Sequence, residues 1–128
     1  MKNYAIKEHH LYNKAFAKGN RFVGKLTAVY VLRDYAARRL MLANPQKQYF
    51  NRVGLSVGKK IGGAVARNRA KRLLREAYRA IKMRGGLATG YLVVLAAREE
   101  INGKKMQDVE RELARAFDKL GLLSEAKQ

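Results

Sequence analysis

Between Lys59 and Arg84 the chain reads KKIGGAVARNRAKRLLREAYRAIKMR, ten Lys or Arg residues against one acid, Glu76. This stretch carries half of the net charge of +18 in a fifth of the length. Wound at 100° per residue, it places Val65, Ala66, Ala70, Leu73, Leu74, Ala77 and Ile81 on one half of a helix. Arg67, Asn68, Lys71, Arg72, Arg75, Arg79 and Lys82 fall on the other half, with Arg69 at the border, well round from Arg67. Such a helix docks on a core by one side and presents a rod of like charges on the other. Those charges repel at each i,i+4 step. A polyanion relieves the repulsion, and the flat, two-pronged guanidinium matches phosphate oxygens. A merely solvated face is the weaker reading, because ordinary surface helices mix signs.

The totals agree. A length of 128 residues predicts one domain with a modest core. With 28 bases against 10 acids, the partner is expected to be polyanionic, either nucleic acid or an anionic membrane surface. Nucleic acid is favoured. The longest apolar run, Tyr91 to Ala97, falls far short of the ~20 residues that span a bilayer, and MKNYAIKEHH lacks the apolar segment of a signal peptide. The lack of cysteine suits a reducing compartment, so a cytoplasmic location is expected.

In chain order, residues 7–18 predict a short helix closed by Gly19, with Leu11, Tyr12, Ala15 and Phe16 as its apolar stripe. His9 and His10 are read as surface residues, having no cysteine or further histidine to complete a metal site. Residues 20–33 predict strand, broken at Gly24; Leu26 to Arg33 is apolar on both faces, which calls for cover on both. The segment Asp34 to Gln48 resists assignment, with a turn at Asn44-Pro45 and bases at Arg38, Arg39 and Lys47. A half-buried strand over about 50–57 then leads through Gly62-Gly63 into the basic helix, expected over about 63–83. A buried strand follows at about 90–97. The last element is an amphipathic helix at about 103–120, its outer face carrying Asp108, Glu110, Arg111, Glu112 and Arg115. The order predicts a single α+β domain in which the strands flanking the basic helix can pair in parallel through a crossover.

From VGLSVGKK, Val53 to Lys60, through Arg67-Asn68-Arg69-Ala70-Lys71-Arg72-Leu73, the chain closely resembles the protein component of bacterial ribonuclease P. Tyr12 and Phe16 four apart on the N-terminal helix, closed by Lys18-Gly19, extend the resemblance to nearly the whole chain. The resemblance implies an αβββαβα sandwich with a mainly antiparallel four-stranded sheet and a left-handed βαβ crossover, against the base rate of ~98 % right-handed connections. It implies a small basic subunit that binds a catalytic RNA and the 5′ leader of precursor tRNA, assisting endonucleolytic removal of the leader. Carried over residue by residue, Lys59, Lys60, Arg67, Asn68, Arg69, Lys71, Arg72 and Arg75 are expected at the catalytic RNA. Tyr12, Phe16 and Tyr30 are expected to line a cleft for the leader, with Arg52 and Ser56 extending it. The segment Asp34 to Gln48 is longer than a simple hairpin connection and departs from the family pattern.

The residue chemistry fits without replacing that inference. Single-stranded RNA needs aromatic faces for stacking beside positive charge, although aromatics at helical spacing are often buried instead. Lys59, Lys60 and the Gly62-Gly63 turn serve equally as a phosphate site at a helix start or as a plain turn. No Ser/His/acid pattern and no carboxylate cluster suggests catalytic or metal-binding groups on the protein; Glu99 and Glu100 are adjacent in a turn and are expected to point apart. Mg²⁺ is expected at the RNA, and no membrane or obligate protein partner is expected. The rivals are a ribosomal or RNA-chaperone protein, a DNA-binding regulator, which wants a second helix upstream where the sequence is strand-like, and a nuclease acting alone.

Overall fold

The structure, a computed structural model, describes residues 4–6, 9–34 and 51–123. The segment from Tyr35 to Gln48, with Arg38, Arg39 and Lys47, lies outside the described residues, as do Lys7, Glu8 and the C-terminal SEAKQ. Five strands form one sheet: β1 (Tyr4–Ala5), β2 (Asn20–Val23), β3 (Thr27–Arg33), β4 (Arg52–Ser56) and β5 (Tyr91–Ala97), in the spatial order β1-β4-β5-β3-β2. The N-terminal helix is His9–Lys18, the basic helix Ala64–Arg84 and the C-terminal helix Met106–Lys119.

The sheet is mixed, and it has one short strand more than the four expected. β2–β3 and β3–β5 are antiparallel, but β4–β5 and β1–β4 are parallel. The mixture follows from connectivity. β2 and β3 are joined by a tight turn, which makes them antiparallel, whereas the basic helix carries the chain from the end of β4 back to the start of β5, which makes those two parallel. β1 was not foreseen; a two-residue edge strand leaves no periodicity to read.

β5 sits at the centre of the sheet, and its Leu92, Val93, Val94 and Leu95 are all buried, which explains the unbroken apolar run. Val93 and Leu95 face the main core. There they meet Val29 and Val31 of β3, Leu73, Leu74, Ala77 and Ile81 of the basic helix, and Val109, Leu113, Ala116 and Phe117 of the C-terminal helix. Leu92 and Val94 face the other way, into a smaller core with Ile6 and Ala15. The molecule is therefore three layers deep: the N-terminal helix, the sheet, and the basic and C-terminal helices together. This is why β3 reads as apolar on both sides.

Two polar residues tie the layers at their ends. Asn51, 2 % exposed, donates through Nδ2 to the Tyr78 hydroxyl (3.1 Å) and the Ala88 carbonyl (2.9 Å) and accepts from the Tyr91 N–H (3.0 Å). It thereby fixes the start of β4 to the basic helix and to β5. Burial pushes the Tyr78 hydroxyl above its ordinary pKa, with the Asn51 bond opposing the shift, and the ring packs edge-on to Phe117 at 5.9 Å. At the other end, Glu112 is buried, not on the outer face of its helix as its spacing suggests. Its carboxylate accepts from the N–H groups of Lys25 (3.0 Å), Leu26 (3.0 Å) and Thr27 (2.7 Å) and from the Thr27 hydroxyl (2.6 Å). The tight turn between β2 and β3 closes around this carboxylate. Gly24 permits the approach, since a Cβ there would stand 2.5 Å from the Glu112 carboxyl carbon.

Candidate nucleic-acid interface

The basic helix separates its side chains much as its sequence demands. Ala70, Leu73, Leu74, Ala77, Tyr78 and Ile81 are buried, while Asn68, Arg72, Arg75 and Arg79 are exposed. Arg67, Lys71 and Lys82 are half-buried along the flanks, and the Arg67 Nε is buried with no hydrogen-bond partner among the described residues. Among the described residues no ion pair involves Arg67, Lys71, Arg72 or Arg75. Burial and the neighbouring Arg79 both lower the pKa of Lys82, a sign of cations crowded together. The helix opens at Gly63, which provides no side-chain cap, and no acid stands in its first turn. Arg84, at the end of the helix, pairs with Glu110, but among the described residues the row Arg67, Lys71, Arg72 and Arg75 lacks the anions that would ordinarily balance it.

Two residues depart from the expected division. Val65 is 86 % exposed, because it lies roughly 150° round the cylinder from the centre of the buried stripe. Tyr78, absent from the predicted apolar side, is buried against Asn51 and Phe117. Arg69 is half-buried and donates to the Lys104 carbonyl, so its guanidinium anchors the turn before the C-terminal helix. Of the Arg-Asn-Arg triplet, Arg67 and Asn68 are left to face a partner.

On the opposite face of the sheet the N-terminal helix runs across the strands. Tyr12 lies against Gly54 of β4, where a Cβ would come within 2.5 Å of the Tyr12 hydroxyl oxygen. One turn later Phe16 meets Tyr30 of β3, ring centroids 4.8 Å apart and nearly perpendicular. Gly54, Val94 and Tyr30 form one row across the sheet, since β4–β5 and β5–β3 register pairs them. The next row, Ser56, Ala96, Ala28 and Val23, lies about 7 Å further along the strands. Its first three side chains are small. The result is a trough that runs across the strands, walled on one side by the helix and its aromatics and floored by that row. Phe16 is 38 % exposed, and Tyr12 and Tyr30 are half-buried, so all three rings keep surface in contact with solvent.

Arg52 does not extend the trough as expected. Its Nε and one terminal nitrogen donate to the two Asp34 carboxylate oxygens at 2.6 and 2.8 Å, a two-pronged pair in which the Asp34 side chain is almost fully covered. It holds the start of β4 to the end of β3. Ser56 is half-buried in the floor. Lys59, Lys60, His9 and His10 are exposed. Lys59–Ile61 forms a single 3-10 turn after β4, and the Asn102 amide donates to the Ile61 carbonyl at 2.9 Å. Among the described residues no cluster of three His, Cys, Asp or Glu could hold a metal ion, and no helix is long and apolar enough to cross a membrane.

Unpaired cations on one face and an aromatic trough on the other fit a binder of structured and single-stranded RNA together. Comparison with known proteins identifies the family. The profile of the Ribonuclease P family matches residues 1–121. This chain belongs to the ribonuclease P protein family. The ribonuclease P protein component of Clostridium acetobutylicum is 33% identical over 123 residues, covering 96% of this chain and 93% of the relative. That of Dehalococcoides mccartyi is 35% identical over 117 residues, covering 91% and 84%. The fold matches the RNase P protein of Staphylococcus aureus at a TM-score of 0.72, with 23% identity over 96% of this chain and 100% of the other. The RNase P protein of Thermotoga maritima matches at 0.67, with 21% identity over 87% and 92%. Membership of the ribonuclease P family places the chain in tRNA processing. Within the family fold, sequence reasoning missed Glu112, Asn51 and the Asp34–Arg52 pair; each has its partners far along the chain, where no local pattern signals them.

Proposed function

We propose that this protein is the RNA-binding subunit of ribonuclease P, using its two faces for two RNAs. The exposed row of the basic helix docks on the catalytic RNA, and the trough takes the single-stranded 5′ leader of precursor tRNA. The observation that carries this reading is the combination, on opposite sides of one sheet, of an aromatic-walled trough and a row of helix cations, Arg67, Lys71, Arg72 and Arg75, that form no ion pair among the described residues. Cleavage is assigned to the RNA and its Mg²⁺. The protein contributes by holding the substrate in register and by neutralising phosphates, which lowers the Mg²⁺ needed to bring two polyanions together.

The test is to add the protein to a bacterial catalytic RNA and compare a leader-bearing precursor with the mature tRNA. The expected result is tighter binding and faster cleavage at lower Mg²⁺ for the precursor, with mature tRNA little affected. Equal effects on both RNAs, or none, would return the protein to the class of general RNA binders.

Single substitutions separate residues that contact the catalytic RNA from residues that hold the fold. Arg72→Ala is expected to make the log–log salt dependence of assembly shallower by about 1, the share of one phosphate contact. Arg69→Ala, which frees the Lys104 carbonyl, is expected to lower the melting temperature and leave that slope unchanged. A reversed pattern would exchange the two roles.

A further inference from the structure

The cations of the basic helix do not surround its exposed half evenly; they crowd on one flank. Arg67, Lys71, Arg75 and Arg79 stand at intervals of four residues, so each lies about 6 Å further along the axis and about 40° further round than the last. This ladder starts beside the sheet. Arg67 and Lys71 are half-buried there, and Tyr78, on the same flank, meets Asn51 at the start of β4. It climbs to the exposed Arg75 and Arg79, with Asn68 and Arg72 filling the gaps beside them. At the crest of the helix the cations stop. Val65 and Met83, about five turns apart, fall on one line along the helix, and Glu76 lies about 20° past that line. Val65 is 86 % exposed and Met83 79 %, and Glu76 is exposed as well.

Beyond the crest the helix turns toward the C-terminal helix, and the cations found there are already used. Arg69 donates to the Lys104 carbonyl, and Arg84 pairs with Glu110. On the ladder flank, by contrast, no ion pair among the described residues includes Arg67, Lys71, Arg75 or Arg79. Glu76 has Arg72 four residues before it and Arg79 three after it, yet it too forms no ion pair among the described residues. An uncommitted carboxylate set against phosphates opposes association. The line beside Glu76 is therefore a poor centre for an RNA contact and a natural edge for one. The ladder has the opposite character. Its steps of about 6 Å are close to the spacing of successive phosphates along a nucleic-acid strand, and such a strand relieves the repulsion at each i,i+4 step.

We propose that the catalytic RNA meets the basic helix from the β4 side alone. One strand runs along Arg67, Lys71, Arg75 and Arg79, phosphate by phosphate, and the contact ends at the line through Val65, Glu76 and Met83. The C-terminal helix, on the far side of that line, stays clear of the RNA. This rests on the catalytic-RNA reading above and deepens it: the ligand of this strip is the sugar–phosphate backbone of a single strand, not a groove centred on the crest.

The salt dependence of assembly of the full protein on a bacterial catalytic RNA provides the test. Lys71→Ala/Arg75→Ala is expected to make the log–log slope shallower by about 1.4–1.8, at ~0.7–0.9 per phosphate. Glu76→Lys and Met83→Lys would each add a phosphate contact if RNA covered the crest; both are expected to keep the wild-type slope. Arg75→Ala alone is expected to give about 0.7–0.9. Its exposed side chain forms no ion pair among the described residues, so it reports even if the double variant does not fold. A slope steeper by about 0.7–0.9 in either lysine variant places RNA over the crest and overturns the proposal. So does an unchanged slope in a folded Arg75→Ala or double variant, as a thermal melt establishes. If the wild-type protein binds the catalytic RNA no better than an unrelated RNA of equal length, it is the catalytic-RNA reading itself that fails, and the ladder with it.

Discussion

Replacing Phe16 and Tyr30 together by alanine is expected to lower the affinity of the assembled enzyme for leader-bearing precursor about 5- to 150-fold, and to leave mature tRNA binding at its wild-type value. The range corresponds to the ~1–3 kcal/mol that stacking one base on an aromatic ring contributes. The two rings meet edge to face at 4.8 Å and together form the wall above Ala28, so a single substitution leaves the other ring able to take the base. Phe16, at 38 % exposure, has the larger free face, and Tyr30 sets its angle. Equilibrium binding with precursor and mature tRNA, alongside a thermal melt, makes the check. Should both substrates weaken alike, the pair supports the sheet and does not read the leader.

The second large effect is on stability. Glu112→Ala is expected to reduce the unfolding free energy by about 3–5 kcal/mol, out of the ~5–15 kcal/mol that holds a domain of this size together. Removing the carboxylate leaves three backbone N–H donors and the Thr27 hydroxyl facing a vacated space, each unsatisfied donor costing about 1–3 kcal/mol less whatever water recovers. Glu112→Gln keeps the volume but turns an N–H₂ group toward donors, so it rescues only part of the loss. Urea unfolding measures both variants. A loss below 1 kcal/mol for the alanine form would mean that water takes over the carboxylate's bonds and that the turn does not depend on it.

Where a residue's neighbours are set by local repeat, the sequence is informative. The charge segregation of the basic helix, the doubly covered β3 and the stripe of the C-terminal helix all follow from periods of 3.6 or 2, and the structure displays them. The same reasoning stops at contacts made across the fold. Glu112 looks like one more surface acid in a mixed helix face until β3 brings Thr27, 85 residues away, into reach. Arg52 looks like an open-face cation until Asp34 claims both its prongs. The trough was legible only in part: Tyr12, Phe16 and Tyr30 could be named from the resemblance, but its floor depends on strand register, which is fixed only once β5 lies between β3 and β4.

That central position of β5 has a consequence for synthesis. The aromatics at 12, 16 and 30 and the charged helix ending at Arg84 all lie in the first 84 residues. Yet β3 and β4 do not touch each other in the sheet; each pairs with β5. A nascent chain halted before Tyr91 therefore holds those side chains without the central strand that arranges them. Residues Tyr91–Ala97 have to leave the ribosome before β3 and β4 can join in one sheet, so the two faces proposed for RNA form late in synthesis.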